Sequence, residues 1–162
     1  MKNNITFRTE VRNSDIEIVR EIVESSGFFY DHEVEVAVEL VKETIENGVE
    51  NGYNFIFAEI DNKTVGYTCF GSIPCTKYSY DIYWIAVHND FRNQKIGRII
   101  LEQTEKTIKN MGGKGIYLET SSTEKYIPTR EFYLKCNYKI EAQIKDFYED
   151  EDDKVIFVKR FK

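Results

Sequence analysis

In this chain of 162 residues histidine and cysteine are few and positive charge is outnumbered by negative, and each shortfall argues against a class of chemistry. The two histidines, His32 and His88, stand in no HExxH pairing and near no serine elbow, so histidine-based catalysis fits poorly. Cys69, Cys75 and Cys136 are odd in number and form no CxxC pair, which argues against a disulfide framework and a structural zinc site; no metal is expected. Runs of about 18 apolar residues are missing too. The opening MKNNITFRTE lacks the apolar core of an export signal, so a cytoplasmic location with no membrane partner is expected. Lys and Arg number 22 against 28 Asp and Glu, a net charge of -6, so general nucleic-acid binding is not expected.

What the chain does hold is enough apolar and aromatic material for a substantial core: 41% hydrophobic residues, with eleven Tyr and eleven Phe. A domain of about 150 residues buries roughly 70% of its unfolded surface, and no repeat or linker interrupts this one, so a single domain over 1–162 is expected. Alternation over 5–11 predicts a strand, and Ser14 with Glu17 makes an S-x-x-E capping box for a helix from about 15 to 26, stopped by Gly27. Val34, Ala37, Val38, Val41 and Ile45 predict a second helix before Gly48. Two β-rich runs, 53–60 and 64–70, flank Asp61-Asn62-Lys63 as a hairpin. The aromatic and β-branched stretch from Tyr80 to Val87 belongs near the sheet centre. Helical spacing returns from Ile96 to Met111, a short strand follows at 116–120, and Pro128 opens another helix to about Lys135. Strands at 138–148 and 154–161 close the chain, joined by the acidic EDEDD. This order gives an α/β (α+β) fold with a mixed sheet covered by helices.

A strand ending at Val87, a polar loop and a helix opening near Ile96 is the arrangement that aims backbone N–H groups and a helix dipole at an anion. Arg92, Lys95 and Arg98 supply three positive charges within seven residues of an acidic chain. A phosphate site is one reading; a solvated basic loop is the other, and charge pattern alone does not choose. The loop lacks the G-x-x-x-x-G-K-[ST] of nucleotide hydrolases, and no G-x-G-x-x-G supports a dinucleotide fold. Gly112-Gly113-Lys114-Gly115 follows a helix and precedes a strand, where capping and a tight turn require glycine.

Taken together, WIAV, FRNQKIGRIILEQTEK and PTREFYLKCNY resemble the GNAT superfamily of acyl-CoA-dependent N-acetyltransferases. The family's loop pattern, Gln/Arg-x-x-Gly-x-Gly/Ala, reads here Arg92-Asn93-Gln94-Lys95-Ile96-Gly97, with Lys95 where the first glycine is usual. The resemblance implies a mostly antiparallel sheet of about seven strands flanked by about four helices, with acetyl-CoA as cosubstrate. It implies that backbone at Ile85 and Val87 meets the pantetheine arm. It further implies that the loop from Arg92 through Asn93, Gln94, Lys95, Ile96, Gly97 and Arg98 holds the pyrophosphate. Backbone recognition of this kind tolerates side-chain variation.

Acyl transfer to an amine needs a neutral nucleophile, a polarised thioester carbonyl and a proton for the departing thiolate. By the resemblance, Tyr133 in the F-Y-x-x-x-[GN]-[FY] stretch protonates the CoA sulfur; its other reading is a packed ring. For the base, Asp81 lies on the strand ending at Val87, nominally on the face of Tyr83 and Ile85, and Glu119 on the next strand competes with it. Either carboxylate can draw a proton or bind the substrate ammonium. The oxyanion falls to a backbone amide near Val87, and His88 reads as a loop residue. Acidic charge with the aromatics Tyr78, Tyr80, Tyr126, Phe147 and Tyr148 suits a small cationic amine, amino acid or peptide acceptor. A homodimer stays open, as does a non-catalytic acyl-CoA-binding sensor on the same scaffold.

Overall fold

The computed structural model describes residues 4–162, which form seven strands and four α-helices. In chain order these are β1 (Ile5–Arg8), α1 (Asp15–Ser25), α2 (Asp31–Asn47), β2 (Asn54–Ile60), β3 (Lys63–Ser72), β4 (Ser79–Val87), α3 (Ile96–Asn110), β5 (Gly115–Ser121), α4 (Ile127–Lys135), β6 (Lys139–Glu149) and β7 (Asp152–Arg160). The strands make one mixed sheet in the order β1-β2-β3-β4-β5-β7-β6, with β4 central as its aromatic, β-branched sequence predicts. The pairing is antiparallel apart from β4 with β5. The chain divides into two compact units, Met1–Gly71 with Ile82–Thr107 and Ser72–Asp81 with Ile108–Lys162. None of the described helices is long and apolar enough to cross a membrane.

In the first unit, strand alternation sends neighbouring residues to opposite sides. Phe55, Phe57, Tyr67 and Cys69 pack on one side with Val19, Ile22 and Val23 of α1 and Val34, Val38 and Val41 of α2. Ala58, Ile60 and Val65 pack on the other side with Ile96 and Ile100 of α3. The hairpin between β2 and β3 turns at Asp61 and Asn62, both with positive φ, as a two-residue turn matched to strand twist requires.

The start of α1 departs from the sequence expectation. Ser14 takes helical φ and ψ and makes no side-chain cap bond. Asp15, the first residue of the helix, instead turns its buried carboxylate back to accept the Arg12 N–H at 2.7 Å. Two guanidinium nitrogens of Arg8 bind the same carboxylate at 2.9 and 2.8 Å, while Arg8 Nε reaches Glu59 on β2 at 2.8 Å. Arg8 thus ties α1 to β1 and β2 through charge rather than through a hydroxyl. Deleting one member of a buried ion pair strands its partner, at about 3–5 kcal/mol. Asp15→Ala is expected to lose stability at the low end of that range, since Glu59 still holds Arg8. Urea unfolding measures it, and a loss under about 0.5 kcal/mol, the scale of a neutral surface change, would remove the network from the fold's support.

The last hairpin also differs from its sequence reading. Only Asp150 and Glu151 of the acidic EDEDD separate β6 from β7. Asp152 accepts from Ser121 Oγ at 2.6 Å and the Ser122 N–H at 3.1 Å. Asp153 accepts from Gln143 Nε2 at 2.6 Å and the Asp146 N–H at 2.9 Å. These carboxylates are strand residues with partners, not a solvated loop.

Candidate active site

The basic loop lies in the first unit, at the end of β4. The β4–β5 ladder covers only Ser79–Asp81 against Gly115–Tyr117, and the other neighbour of β4 is β3. From Ile82 to Val87, the β4 edge turned away from β3 therefore has no strand partner among the described residues. At Ile85 and Val87 the N–H and C=O groups on that side can meet an extended ligand. The side chains of Ile85 and Val87 pack against the cluster around Ile96 and Ile100, so backbone is what they offer. The His88 N–H already donates to the Val65 carbonyl at 2.8 Å, so the oxyanion donor expected near Val87 does not fall on that amide. His88 Nδ1 accepts the Asp90 N–H at 3.2 Å, closing the turn over Asn89–Phe91.

After that turn the backbone takes positive φ at Asn93 and Lys95, +61° and +63°, with Gln94 between them at negative φ. Such alternation curls successive N–H groups toward one concave side, the geometry of an anion-binding nest. The amides of Ile96 and Gly97 open α3, where a helix offers its N–H groups no acceptor of its own, and Ile99 N–H to Lys95 C=O at 3.1 Å closes that first turn. A helix N-terminus favours acidic side chains, yet the first turn of α3 has none. It carries Arg98, with Lys95 just before it; the charge that complements this end is an anion.

Lys95 now has a backbone explanation. The family's glycine supplies the left-handed φ without cost, whereas a lysine pays roughly 1–2 kcal/mol to hold it. Lys95→Gly removes charge and strain together; Lys95→Ala removes charge alone. The Gly variant is expected to be more stable than the Ala variant by about 1 kcal/mol. Both should bind CoA more weakly than the parent, with a shallower salt dependence. Urea unfolding and calorimetric CoA titration at two ionic strengths check both halves. At the far end of α3, Gly113 is required sterically: a Cβ there would lie 2.4 Å from Ile108 Cγ2.

The carboxylates lie in the second unit. Asp81 pairs in register with Tyr117, and Glu119, two residues on, shares the face of Tyr117. The structure separates the two by their surroundings. Glu119 is ion-paired to Lys154 of β7, and its charge acts on the Tyr148 phenol beside it. Asp81, half-buried, makes no hydrogen bond or ion pair among the described residues. Burial raises its pKa, the Glu119 charge raises it further, and Lys154 pulls it back. Tyr148 is pushed up to about 12 by burial and by Glu119 and Asp152.

Tyr133 occupies the other face. Its ring packs against Phe132, Tyr138 and Phe157 at centroid distances of 5.4, 5.9 and 5.5 Å. Phe157 sits opposite Leu118, whose side chain points away from that of its neighbour Glu119. Within this unit the structure therefore does not bring Tyr133 together with Asp81 and Glu119. Burial raises the Tyr133 pKa, so the phenol keeps its proton at neutral pH. Its hydroxyl bonds to none of the described residues.

Of the aromatics expected to draw a cationic acceptor, several already hold cations of the chain itself. Lys114 and Lys77 stand 4.1 and 5.2 Å from the Tyr78 centroid, and Lys154 stands 4.2 Å from that of Phe147. Lys154 is the residue sequence reasoning missed. Only the pairing of β5 with β7 brings it to Glu119, and nothing in the spacing of the two along the chain signals it.

Comparison with known proteins meets this geometry from outside. A family model described as acetyltransferase (GNAT) domain matches residues 51–140. A GNAT-family structure from Desulfovibrio desulfuricans, named for acetyltransferase activity, shares 40% identity over 97% of this chain and 99% of its own, with a TM-score of 0.95. The ribosomal-protein-S18-alanine N-acetyltransferase of Escherichia coli has the same fold at 16% identity, with 97% and 94% of the two chains covered and a TM-score of 0.74. An aminoglycoside 6'-N-acetyltransferase complexed with coenzyme A has it at 18% identity, 97% and 96% coverage and a TM-score of 0.73. Among curated proteins none matches the sequence. A family model spanning more than half of the chain and a relative 40% identical over nearly its whole length agree, and the chain belongs to the GNAT family of acetyltransferases.

Proposed function

We propose that this acetyltransferase moves the acetyl group of acetyl-CoA to a primary amine of a small molecule, amino acid or peptide, by direct attack in a ternary complex. The observation that carries the amine reading is the contrast at β4 and β5: Glu119 is ion-paired to Lys154, while Asp81 has no ion pair. A half-buried carboxylate with raised pKa and no partner is poised to take a proton from an ammonium. Amides from Gln94 to Arg98 bind the pyrophosphate, and the free backbone edge at Ile85 and Val87 receives the pantetheine arm. The amine nitrogen attacks the thioester carbonyl carbon, its proton passing to Asp81 directly or through water. As the C–S bond breaks, Tyr133 donates its proton to the thiolate; both side chains then recover their starting states by exchange with water. Base and acid serve the amine nitrogen and the sulfur of one adduct, and water carries the amine proton to Asp81 where the two faces keep the side chains apart.

Relatives of this fold are named for an aminoglycoside and for a ribosomal-protein alanine, so the fold does not choose the acceptor. An acetyl-CoA consumption screen over amines, amino acids and peptides, with product mass analysis, tests the proposal. An N-acetylated product is expected. CoA binding with no turnover across a broad panel would overturn it in favour of a sensor.

A further inference from the structure

Lys154 places an ammonium where it gives nothing to the hydrophobic core. Its side chain is 16% exposed, paired with Glu119 and seated over the Phe147 ring. Taking a lysine this far from water is costly unless its charge is matched, and here the match is unequal between two carboxylates. Glu119 holds the ammonium as an ion pair; Asp81 feels its charge without pairing to it. We propose that Lys154 is a positioning residue that divides the labour on this face, holding Glu119 as an occupied carboxylate and so leaving Asp81 as the group that takes the acceptor's proton. This rests on Asp81 being the base, as proposed above.

The charges facing Asp81 are few. Glu119 faces it from β5 and Lys154 from β7; Tyr148 of β6 engages Glu119, and Tyr117, opposite Asp81, engages Arg160. Glu119 disfavours ionised Asp81 and Lys154 favours it, so the two charges oppose each other, and burial is the largest influence. Removing one charge exposes the other. Lys154→Met leaves Glu119 uncompensated and should raise the Asp81 pKa. Glu119→Gln leaves Lys154 uncompensated and should lower it. A pair that merely braced the structure would act differently: breaking it from either side would admit water, and Asp81 would fall toward its ordinary value in both variants.

The test is a ¹³C NMR titration of protein labelled at the aspartate carboxyls, with the Asp81 signal identified by its loss in Asp81→Asn. A midpoint higher than wild type in Lys154→Met, lower in Glu119→Gln and near wild type in Lys154→Arg is expected. Shifts in the same direction, or none, would overturn the inference. Lys154→Gln removes the same charge while keeping a polar side chain, so it supplies the raised midpoint if the methionine variant folds poorly. The readout needs no acceptor. Opposite shifts in a protein that acetylates no amine would leave the division of charge standing and remove the proposed function; turnover without the shifts would do the reverse.

Discussion

Tyr133→Phe is expected to lower kcat about 100-fold or more while leaving CoA affinity nearly unchanged, because it removes only the proton that the departing thiolate needs. The ring stays, and with it the packing on Phe157 and Tyr138. Because the hydroxyl bonds to none of the described residues, its deletion orphans no partner, and the variant should be at least as stable as the parent. That separates chemistry from folding: equal or higher melting temperature with collapsed turnover is the signature of an acid. The measurement is steady-state kinetics after solvent viscosity has been shown not to affect kcat, so that chemistry limits the rate. Near-parental kcat under those conditions would return Tyr133 to its other role, a ring filling the space between α4 and Phe157.

How far such roles could be read in the sequence depends on the range of the interaction that sets them. Elements governed by neighbours along the chain were legible. The α2 stripe from Val34 to Ile45 and the Pro128 helix start form where periodicity and turn chemistry put them, and the hairpin read at Asp61-Asn62-Lys63 turns on Asp61 and Asn62, with Lys63 already in β3. The capping box at Ser14 was not, because a buried Arg8 on β1 recruits Asp15 and outcompetes a hydroxyl, a contact invisible to local pattern. The departure at Lys95 was visible as a residue but not as a φ of +63°. Asp81 and Glu119 were legible as a pair of carboxylates on adjacent strands. What distinguishes them is Lys154, which arrives by way of β7 and the register Ser121 to Lys154. Strand pairing between distant segments carries no signal in one sequence, and the partition of charge on this face depends on it.

That partition sets the second large effect. Asp81→Asn is expected to lower kcat most near neutrality, where the acceptor amine is largely ammonium and a base matters. Turnover should recover partly toward about pH 9.5, where free amine accumulates. Glu119→Gln, by contrast, should keep turnover near neutrality and shift the pH profile of kcat to lower pH, since Lys154 already occupies Glu119 and loss of its charge lowers the Asp81 pKa. The same substitution of Asp81 should stabilise the fold. The folded-state pKa of Asp81 lies above its unfolded value, so its protonated form is the one the fold prefers. Stability linked to this group is complete below the unfolded carboxylate range and is lost as pH rises through the raised folded value. At neutral pH the ionised carboxylate therefore destabilises the fold, and the neutral amide removes that cost. Melting temperature of Asp81→Asn should exceed that of the parent at pH 7, and the gap should close as pH falls into the range where the parent carboxyl is protonated. Lost turnover with gained stability is what an active site held against the preference of the fold produces. Should Asp81→Asn be less stable than the parent at pH 7, the carboxylate has a partner in solution and cannot be the bare base; should kcat be untouched from pH 6 to 9.5, water performs the deprotonation.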